Sequence, residues 1–335
     1  MASSKTRLTE LGTAAGLLWE PAAPWPDSVE QIDIPGIPAA VWQPVVLEAT
    51  RPASRDRALL LAALDNGRTF RQQVLQGRVP GQVVWSGGGQ NTWMSDIPRD
   101  LTVDGVWFIQ AKYDSTCVLN TAPATLVDDL LRDEGAGQRP SWYEEVAPRE
   151  LQAYWRIVRG RAPIDGLPSD VRDLDRDHRL ALKHWMRSTE PSVAEHDAYL
   201  ELCRAVSEQT AQRWRRHLAA SSPAQRTQLL FRMLRIAGGP YWLLGTKGAA
   251  PVRLAVTDTR SWRERFVLRK LTLADAHAGQ PQVNWRAEIA DGDERHVVDG
   301  YCEIRWSHGK LQGHPECKVQ VTTPLADIPG YAPLR

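Results

Sequence analysis

The chain has 335 residues, of which 42% are hydrophobic and 24% are charged. This length suffices for two domains with buried cores, and the composition is that of an ordinary globular protein. The net charge of +1 indicates no particular partner, and the four cysteines show no CxxC or framework spacing, which favours a reduced, cytoplasmic protein. No apolar run is long enough to span a membrane and no apolar segment follows the N-terminus, so we expect neither a membrane span nor a signal peptide.

The first part of the chain, residues 1–55, is rich in proline and contains short apolar runs. We expect it to form an extended arm with a strand or two. Residues 55–64 have apolar side chains at helical spacing, and Asn66-Gly67 is a C-cap signal that predicts the end of this helix. Thr69 is a suitable N-cap for a second helix.

The most informative stretch is residues 99–113. Asp104-Gly105 is a dipeptide typical of tight hairpin turns, and the β-branched and aromatic run that follows it predicts a buried strand. This strand ends in a Gln-Ala-Lys sequence. Burying the ammonium of Lys112 unpaired would cost several kcal/mol, so we expect it to reach a wet or charged place.

An acidic strand beside a Gln-x-Lys strand is suited to metal-dependent hydrolysis of phosphodiesters. Carboxylate and amide oxygens bind Mg²⁺, and a lysine stabilises charge on the attacking water and on the phosphorane. The candidate catalytic residues are therefore Asp100, Asp104, Gln110 and Lys112.

The sequence leaves open which of the two acids binds the metal. In one straight strand Asp104 and Gln110 would lie about 20 Å apart, too far to share an ion whose ligand oxygens lie at about 2 Å. A hairpin turn at Asp104-Gly105 instead brings Asp100 opposite residue 109 with a two-residue loop, or opposite Gln110 with a three-residue loop. Geometry favours Asp100, whereas a motif comparison favours Asp104.

At these residues the sequence resembles the PD-(D/E)xK nuclease superfamily. Its Asp-Gly followed by Gln-Ala-Lys is similar to Mrr-type restriction endonucleases, with Gln in place of the usual Glu. The run Gln-Ala-Lys-Tyr is similar to restriction-endonuclease-fold toxins. Upstream, residues 66–75 resemble the Gly-x-x-Phe-Glu helix that opens many such domains, although Arg71 stands where that helix often carries Glu.

The resemblance covers roughly residues 56–190 and implies an α/β (α+β) fold with a PD-(D/E)xK restriction-endonuclease-like core. It also implies that Asp100 or Asp104, together with Gln110 and the carbonyl of Ala111, binds Mg²⁺ or Mn²⁺. Lys112 would then orient the attacking water.

The middle of the chain is helical and basic. Residues 150–158, 178–186 and 191–217 predict helices, the last opened by a capping box at Ser192. From residue 204 to residue 270 the sequence has 14 basic residues and three acids, a net charge of +11, which indicates phosphate binding or a set of solvated helix faces. A nucleic-acid grip through cation–π contacts and phosphate pairs is expected at one cluster of this segment: Arg213, Trp214, Arg215 and Arg216.

Alternating patterns after residue 240 predict about five strands. We therefore expect four consecutive parts: an arm at 1–55, a nuclease core at 56–190, a basic helical segment at 191–238 and a separate β-rich module at 239–335.

The expected function is that of a metal-dependent endonuclease acting on double-stranded DNA in restriction or anti-phage defence. A homodimer is expected if both strands are cut. Two alternatives stay open, namely an RNA- or tRNA-cleaving toxin of the same fold and a catalytically inactive nucleic-acid-binding protein.

Overall fold

The structure is a computed structural model that describes residues 4–18, 33–51, 54, 56–87, 97–114, 116–131, 140–247 and 250–334. It is a mixed α/β structure that divides into two compact units. Unit 1 contains residues 1–116, 235–266 and 324–335, and unit 2 contains residues 117–234 and 267–323. The chain thus leaves unit 1 and returns to it twice.

The described residues form the following helices: α1 (Ser4–Leu18), α2 (Ala39–Thr50), α3 (Arg57–Gln73), α4 (Pro123–Leu126), α5 (Asp128–Leu131), α6 (Trp142–Val146), α7 (Pro148–Arg161), α8 (Arg176–Ser188), α9 (Val193–Ala220), α10 (Pro223–Leu234) and α11 (Thr259–Arg265). They form the following strands: β1 (Val83–Trp85), β2 (Leu101–Val103), β3 (Trp107–Tyr113), β4 (Cys117–Thr121), β5 (Tyr241–Lys247), β6 (Ala250–Val256), β7 (Phe266–His277), β8 (Pro281–Asp291), β9 (Glu294–Arg305), β10 (Glu316–Val321) and β11 (Tyr331–Pro333). No helix in these ranges is long and apolar enough to cross a membrane.

In the described part of unit 1 the strands form one sheet in the order β1-β2-β3-β5-β6-β11. β3 and β5 are parallel, and the other neighbours are antiparallel. Helices α1, α2 and α3 bury apolar side chains against one face of this sheet, where Ile109 and Leu244 belong to the core. Because side chains alternate along a strand, Gln110 and Lys112 lie on the opposite face.

Most described residues of the N-terminal part lie in the helices α1 and α2, so the predicted extended arm with a strand or two is wrong there. Residues 19–32 lie outside the described part. In α2 the side chains of Trp42 and Val46, four residues apart, are both fully buried. This i,i+4 spacing places them on one helix face, and that burial outweighs the proline content of the segment.

The predicted helix end at Asn66-Gly67 is also wrong, because α3 continues to Gln73. The glycine lets α1 and α3 approach closely, since a Cβ on Gly67 would lie 2.7 Å from the backbone nitrogen of Leu17. The Asn66 side-chain amide connects α3 to the sheet, because it donates a hydrogen bond to the carbonyl of Gly245 on β5 at 2.7 Å.

Unit 2 contains a second sheet with the strand order β4-β10-β9-β8-β7, together with helices α4 to α10. The predicted separate module at 239–335 therefore does not form. Its first strands, β5 and β6, join the sheet of unit 1 because β5 pairs in parallel with β3, whereas β7 to β10 belong to the sheet of unit 2.

Candidate catalytic site

Asp100 lies at the point where β2 and β3 part. The strands pair in the register of a three-residue loop, with Leu101 opposite Ile109, so Asp100 falls opposite Gln110. The Asp100 N–H donates to the Ile109 carbonyl at 2.7 Å, and the Asp100 carboxylate accepts from the Ala111 N–H at 2.8 Å. The carboxylate therefore replaces a backbone carbonyl in the ladder and is held at a fixed position.

Opposing effects act on the pKa of the Asp100 carboxyl group. Burial raises its pKa, whereas the bond from Ala111 and the charges of Lys112 and Arg235 lower it. The acid thus lies within the field of two cations, one from the strand that carries Gln110 and one from the segment that follows α10.

Gln110 and Lys112 are half-buried on the sheet face away from α1 and α3. The neighbouring strand contributes Gly245 directly beside Lys112 in the parallel register. A Cβ at Gly245 would overlap the carbonyl oxygen of Lys112 and would lie 3.2 Å from its Cβ. A glycine is therefore required where the backbones of β3 and β5 approach each other at the lysine.

A second carboxylate near Asp100 was not predicted from the sequence. Glu10 on α1 is only 3% exposed and accepts a hydrogen bond from Trp85 Nε1 at 2.7 Å. Burial raises its pKa to about 7; the Trp85 bond lowers it, the charge of Asp100 raises it further and Arg7 lowers it. The acid near Asp100 thus comes from α1, whereas α3 carries the buried Arg71. A lone acid in the apolar run of residues 8–18 is the signal that would have indicated it.

Arg235 is a second residue that the sequence did not indicate. It has a left-handed backbone conformation with φ of 56°, which is uncommon for a non-glycine residue. Its charge lowers the pKa of Asp100 and also acts on Tyr241 and Tyr331. Burial raises the pKa of Tyr331 to about 12, against the lowering effects of Tyr241 and Arg235. Both tyrosines pair with Val256 in the sheet, on the face that carries Lys112.

Asp104 lies in the turn between β2 and β3, and its carboxylate binds the segment that precedes β1. Its φ is 49°, and its carboxylate accepts from the backbone N–H groups of Gly81 and Gln82 at 2.8 and 3.0 Å and from Arg78 at 2.6 Å. Slight burial raises its pKa, and the bonds from Arg78, Gln82 and Gly81 outweigh this effect and lower it. The structure does not bring Asp104 together with Gln110 and Lys112.

The predicted nucleic-acid grip at residues 213–216 does not lie on one accessible surface. Trp214 is fully buried, with its ring 6.2 Å from that of Trp142. Arg213 forms ion pairs with Asp128 at 2.6 Å and Glu145 at 2.7 Å. A buried tryptophan has no free face for a base, which removes Trp214 from the predicted stacking role. Arg215 and Arg216 remain exposed, and Arg215 lies 3.5 Å from Asp275.

Three possible metal ligands also meet at the turn between β8 and β9 in unit 2. Ligand atoms of Asp291, Glu294 and His296 lie within 4.8 Å of one another. The Glu294 side chain is 79% exposed, and such acidic groups are common at surfaces without a bound ion.

No protein-family model, curated protein or solved structure matches this chain. The geometry around Asp100 is therefore the basis for a functional assignment, because a fold by itself does not identify an activity.

Proposed function

We propose that the chain is a metal-dependent endonuclease whose catalytic residues are Asp100, Gln110 and Lys112. The observation that carries this proposal is the position of the Asp100 carboxylate, opposite Gln110 and within the field of Lys112. An acid, an amide oxygen and an ammonium around one point are the groups that hydrolysis of a phosphodiester requires.

The topology of unit 1 supports the assignment of a PD-(D/E)xK core. Helix α3 is followed by β1, β2, a turn and the Gln-x-Lys strand β3, which is the order that the resemblance implies. β5 then pairs in parallel with β3, beside the lysine.

The donor set fits Mg²⁺ or Mn²⁺. Asp100, Gln110 and the Ala111 carbonyl all offer oxygen, the ligand atom that these ions prefer. Burial raises the pKa of Asp100 and of the nearby Glu10, and a cation at Asp100 would favour the ionised form of both carboxylates. When bound, the ion would lower the pKa of a water molecule and neutralise charge on the phosphate.

The protein groups would share the remaining tasks. The Lys112 ammonium would orient the nucleophilic water and offset the charge that develops on the phosphate. The Arg235 guanidinium, whose charge also acts on Asp100, would contact a phosphate oxygen. Asp104 has no part in this assignment, because its oxygens are already bonded to the turn that precedes β1.

We propose double-stranded DNA as the substrate, in restriction or anti-phage defence. The reason is that the residues of β3 resemble those of Mrr-type restriction endonucleases. Cleavage of RNA is the second candidate within the same chemistry, and a homodimer would supply the two sites that a double-strand cut needs.

A cleavage assay tests the proposal. Wild-type protein, Lys112→Ala and the matched exposed-lysine control Lys270→Ala would be incubated with supercoiled plasmid or total RNA, with Mg²⁺, Mn²⁺ or EDTA. We expect metal-dependent cleavage that is lost in Lys112→Ala and retained in Lys270→Ala. Cleavage that survives in Lys112→Ala, or folded wild-type protein that cuts neither polymer, would contradict the proposal.

A further inference from the structure

Arg99 directly precedes Asp100, and its side chain is exposed. Its guanidinium carbon lies 5.6 Å from the centre of the Phe108 ring, a distance at which a cation is attracted to an aromatic face. Among the residues that the structure describes, the Arg99 side chain has no ion-pair or hydrogen-bond partner. Its N–H groups are therefore available to a ligand, while the ring limits where the guanidinium lies.

The Phe108 side chain lies on the sheet face that carries Gln110. Side chains alternate along β3, and Ile109 belongs to the core on the opposite face. Phe108 precedes Gln110 by two residues, which corresponds to about 7 Å along the strand. The ring, and with it the Arg99 guanidinium, is therefore placed beside the candidate metal site and on the same face of the sheet.

The backbone around Arg99 is fixed by the fold. The Ser86 N–H donates to the carbonyl of Asp100 at 2.9 Å, and this bond continues the pairing of β1 with β2. The Ile97 side chain packs on Gly239, because a Cβ built on that glycine would lie 2.7 Å from Cδ1 of Ile97. The Arg99 side chain therefore starts from a defined position next to β2.

The surroundings of Arg99 in this part of the sheet are neutral. The register places Thr102 opposite Phe108 and Val84 opposite Thr102, and Val84 is 43% exposed. The pKa of Asp100 is lowered by two other cations, so Arg99 is not used to hold that acid. An exposed guanidinium without a neutralising carboxylate among the described residues, next to a site for one phosphate, is suited to bind a second phosphate.

We propose that Arg99, oriented by the Phe108 ring, binds the phosphate next to the scissile phosphate on the same nucleic-acid strand. This role rests on the proposed nuclease function and adds a second contact to its polyanionic substrate. Guanidinium N–H groups match two phosphate oxygens at once, whereas a lysine acts as a point charge. Contacts to phosphates fix the register of the strand and do not read its sequence, so Arg99 would act on all sequences alike.

The salt dependence of DNA binding tests this contact. A short fluorescein-labelled DNA duplex would be titrated with the full chain in EDTA or Ca²⁺ at several salt concentrations, with fluorescence anisotropy as the readout. The loss of one phosphate contact in Arg99→Gln should reduce the slope of log K against log salt by about 0.9 and weaken binding about tenfold. Arg57→Gln on α3, which packs on the opposite face of the sheet, is the matched control and should bind as the wild type does.

Phe108 is a positioning residue in this proposal, because it acts on the substrate through Arg99. Phe108→Leu should weaken binding about two- to fivefold, as the loss of an exposed cation–π contact predicts, and should leave the salt slope unchanged because the charge remains. Phe108→Tyr keeps the aromatic face and should restore wild-type affinity. Equal affinity of Phe108→Leu and the wild type would overturn the role of the ring.

A neutral phosphate analogue locates the contact. Once the main cut in a duplex has been mapped in Mg²⁺, a methylphosphonate would be placed at each of the two phosphates that flank it in the cut strand. At one of them it should weaken wild-type binding about tenfold without weakening Arg99→Gln further. Losses of the same size in both proteins at both positions would overturn the proposal.

Cleavage in Mg²⁺, measured in parallel, separates this contact from the proposed function. Wild-type protein that binds and cuts DNA while Arg99→Gln keeps the full salt slope overturns the role of Arg99 alone. Wild-type protein that binds through Arg99 without cutting supports the phosphate contact and overturns the nuclease assignment. Folded protein that binds no DNA overturns both.

Discussion

Two aspartates four residues apart illustrate how the surroundings of a side chain determine its role. Asp100 is positioned between two parting strands by a single N–H and lies near two cations. The Asp104 carboxylate accepts hydrogen bonds from two backbone N–H groups and from Arg78, so its oxygens are used to hold a turn. The sequence motif favours Asp104, whereas these contacts favour Asp100 as the metal ligand.

Glu10 gives a prediction for stability against pH. Its folded pKa of about 7 lies above the ordinary value of 4.5, so between these pH values the folded state keeps a proton that the unfolded state has lost. The free energy of unfolding of metal-free protein should therefore fall as the pH rises from about 4.5 to 7, by on the order of 3 kcal/mol. Glu10→Gln should remove this dependence, as measured by urea unfolding in EDTA at several pH values.

The same residue reports on metal binding. At pH 8, Mg²⁺ should stabilise the wild type because the ion favours the ionised carboxylate, and it should stabilise Glu10→Gln much less. Equal stabilisation of both proteins would show that no metal ion binds close enough to Asp100 to act on the Glu10 carboxylate.

At the scale of elements, the crossing of α1 and α3 depends on Gly67. Replacement by Ala raises helix propensity, yet the added Cβ would lie 2.7 Å from the Leu17 backbone nitrogen. We expect Gly67→Ala to lower the free energy of unfolding by about 1–3 kcal/mol, as measured by urea denaturation. Gly160→Ala in α7 is the matched control, since nothing lies within 4 Å of its Cβ, and it should be neutral or stabilising. Similar losses in both variants would contradict this account of the crossing.

Local signals predicted several elements of this structure. The helices expected at 150–158, 178–186 and 191–217 correspond to α7, α8 and α9, and Ser192 caps the last through the Glu195 N–H. The three-residue hairpin was one of two registers left open by the Asp-Gly turn. Each of these depends on residues close together in the chain.

Features set by tertiary contacts could not be predicted in this way. Glu10 accepts a bond from Trp85, which is 75 positions away, and only the packing of α1 on the sheet brings the two together. The local sequence at Gly67 is that of a helix C-cap, whereas the glycine is needed for the close approach to α1, which is distant in the chain. Trp214 looked exposed among arginines, although its side of α9 faces Trp142.

At the scale of the whole molecule, the two units are interleaved along the chain. The strand that carries Lys112 pairs with β5, which follows only after residues 117–234. The sheet of unit 1 therefore combines segments from the beginning, the later part and the end of the chain. Sequence patterns show where strands occur, but not that β3 and β5 pair across such a connection.

This interleaving predicts that a chain truncated after residue 238 does not form unit 1. It would lack β5, β6 and β11, which are half of the strands of that sheet. We expect such a fragment to show no cooperative unfolding of unit 1 by circular dichroism and to be cleaved rapidly by trypsin around residues 57–112. A stable, protease-resistant fragment would instead support a separate C-terminal module.

The most direct test of the central claim compares Asp100→Asn with Asp104→Asn in Mg²⁺-dependent plasmid cleavage. Both changes replace a carboxylate by an amide of the same shape, but only Asp100 lies beside Gln110 and Lys112 in register. We predict that Asp100→Asn lowers the cleavage rate by about a hundredfold or more, while Asp104→Asn stays within a few-fold of the wild type and loses about 1 kcal/mol of stability at most. Loss of cleavage in Asp104→Asn with full activity in Asp100→Asn would contradict the account.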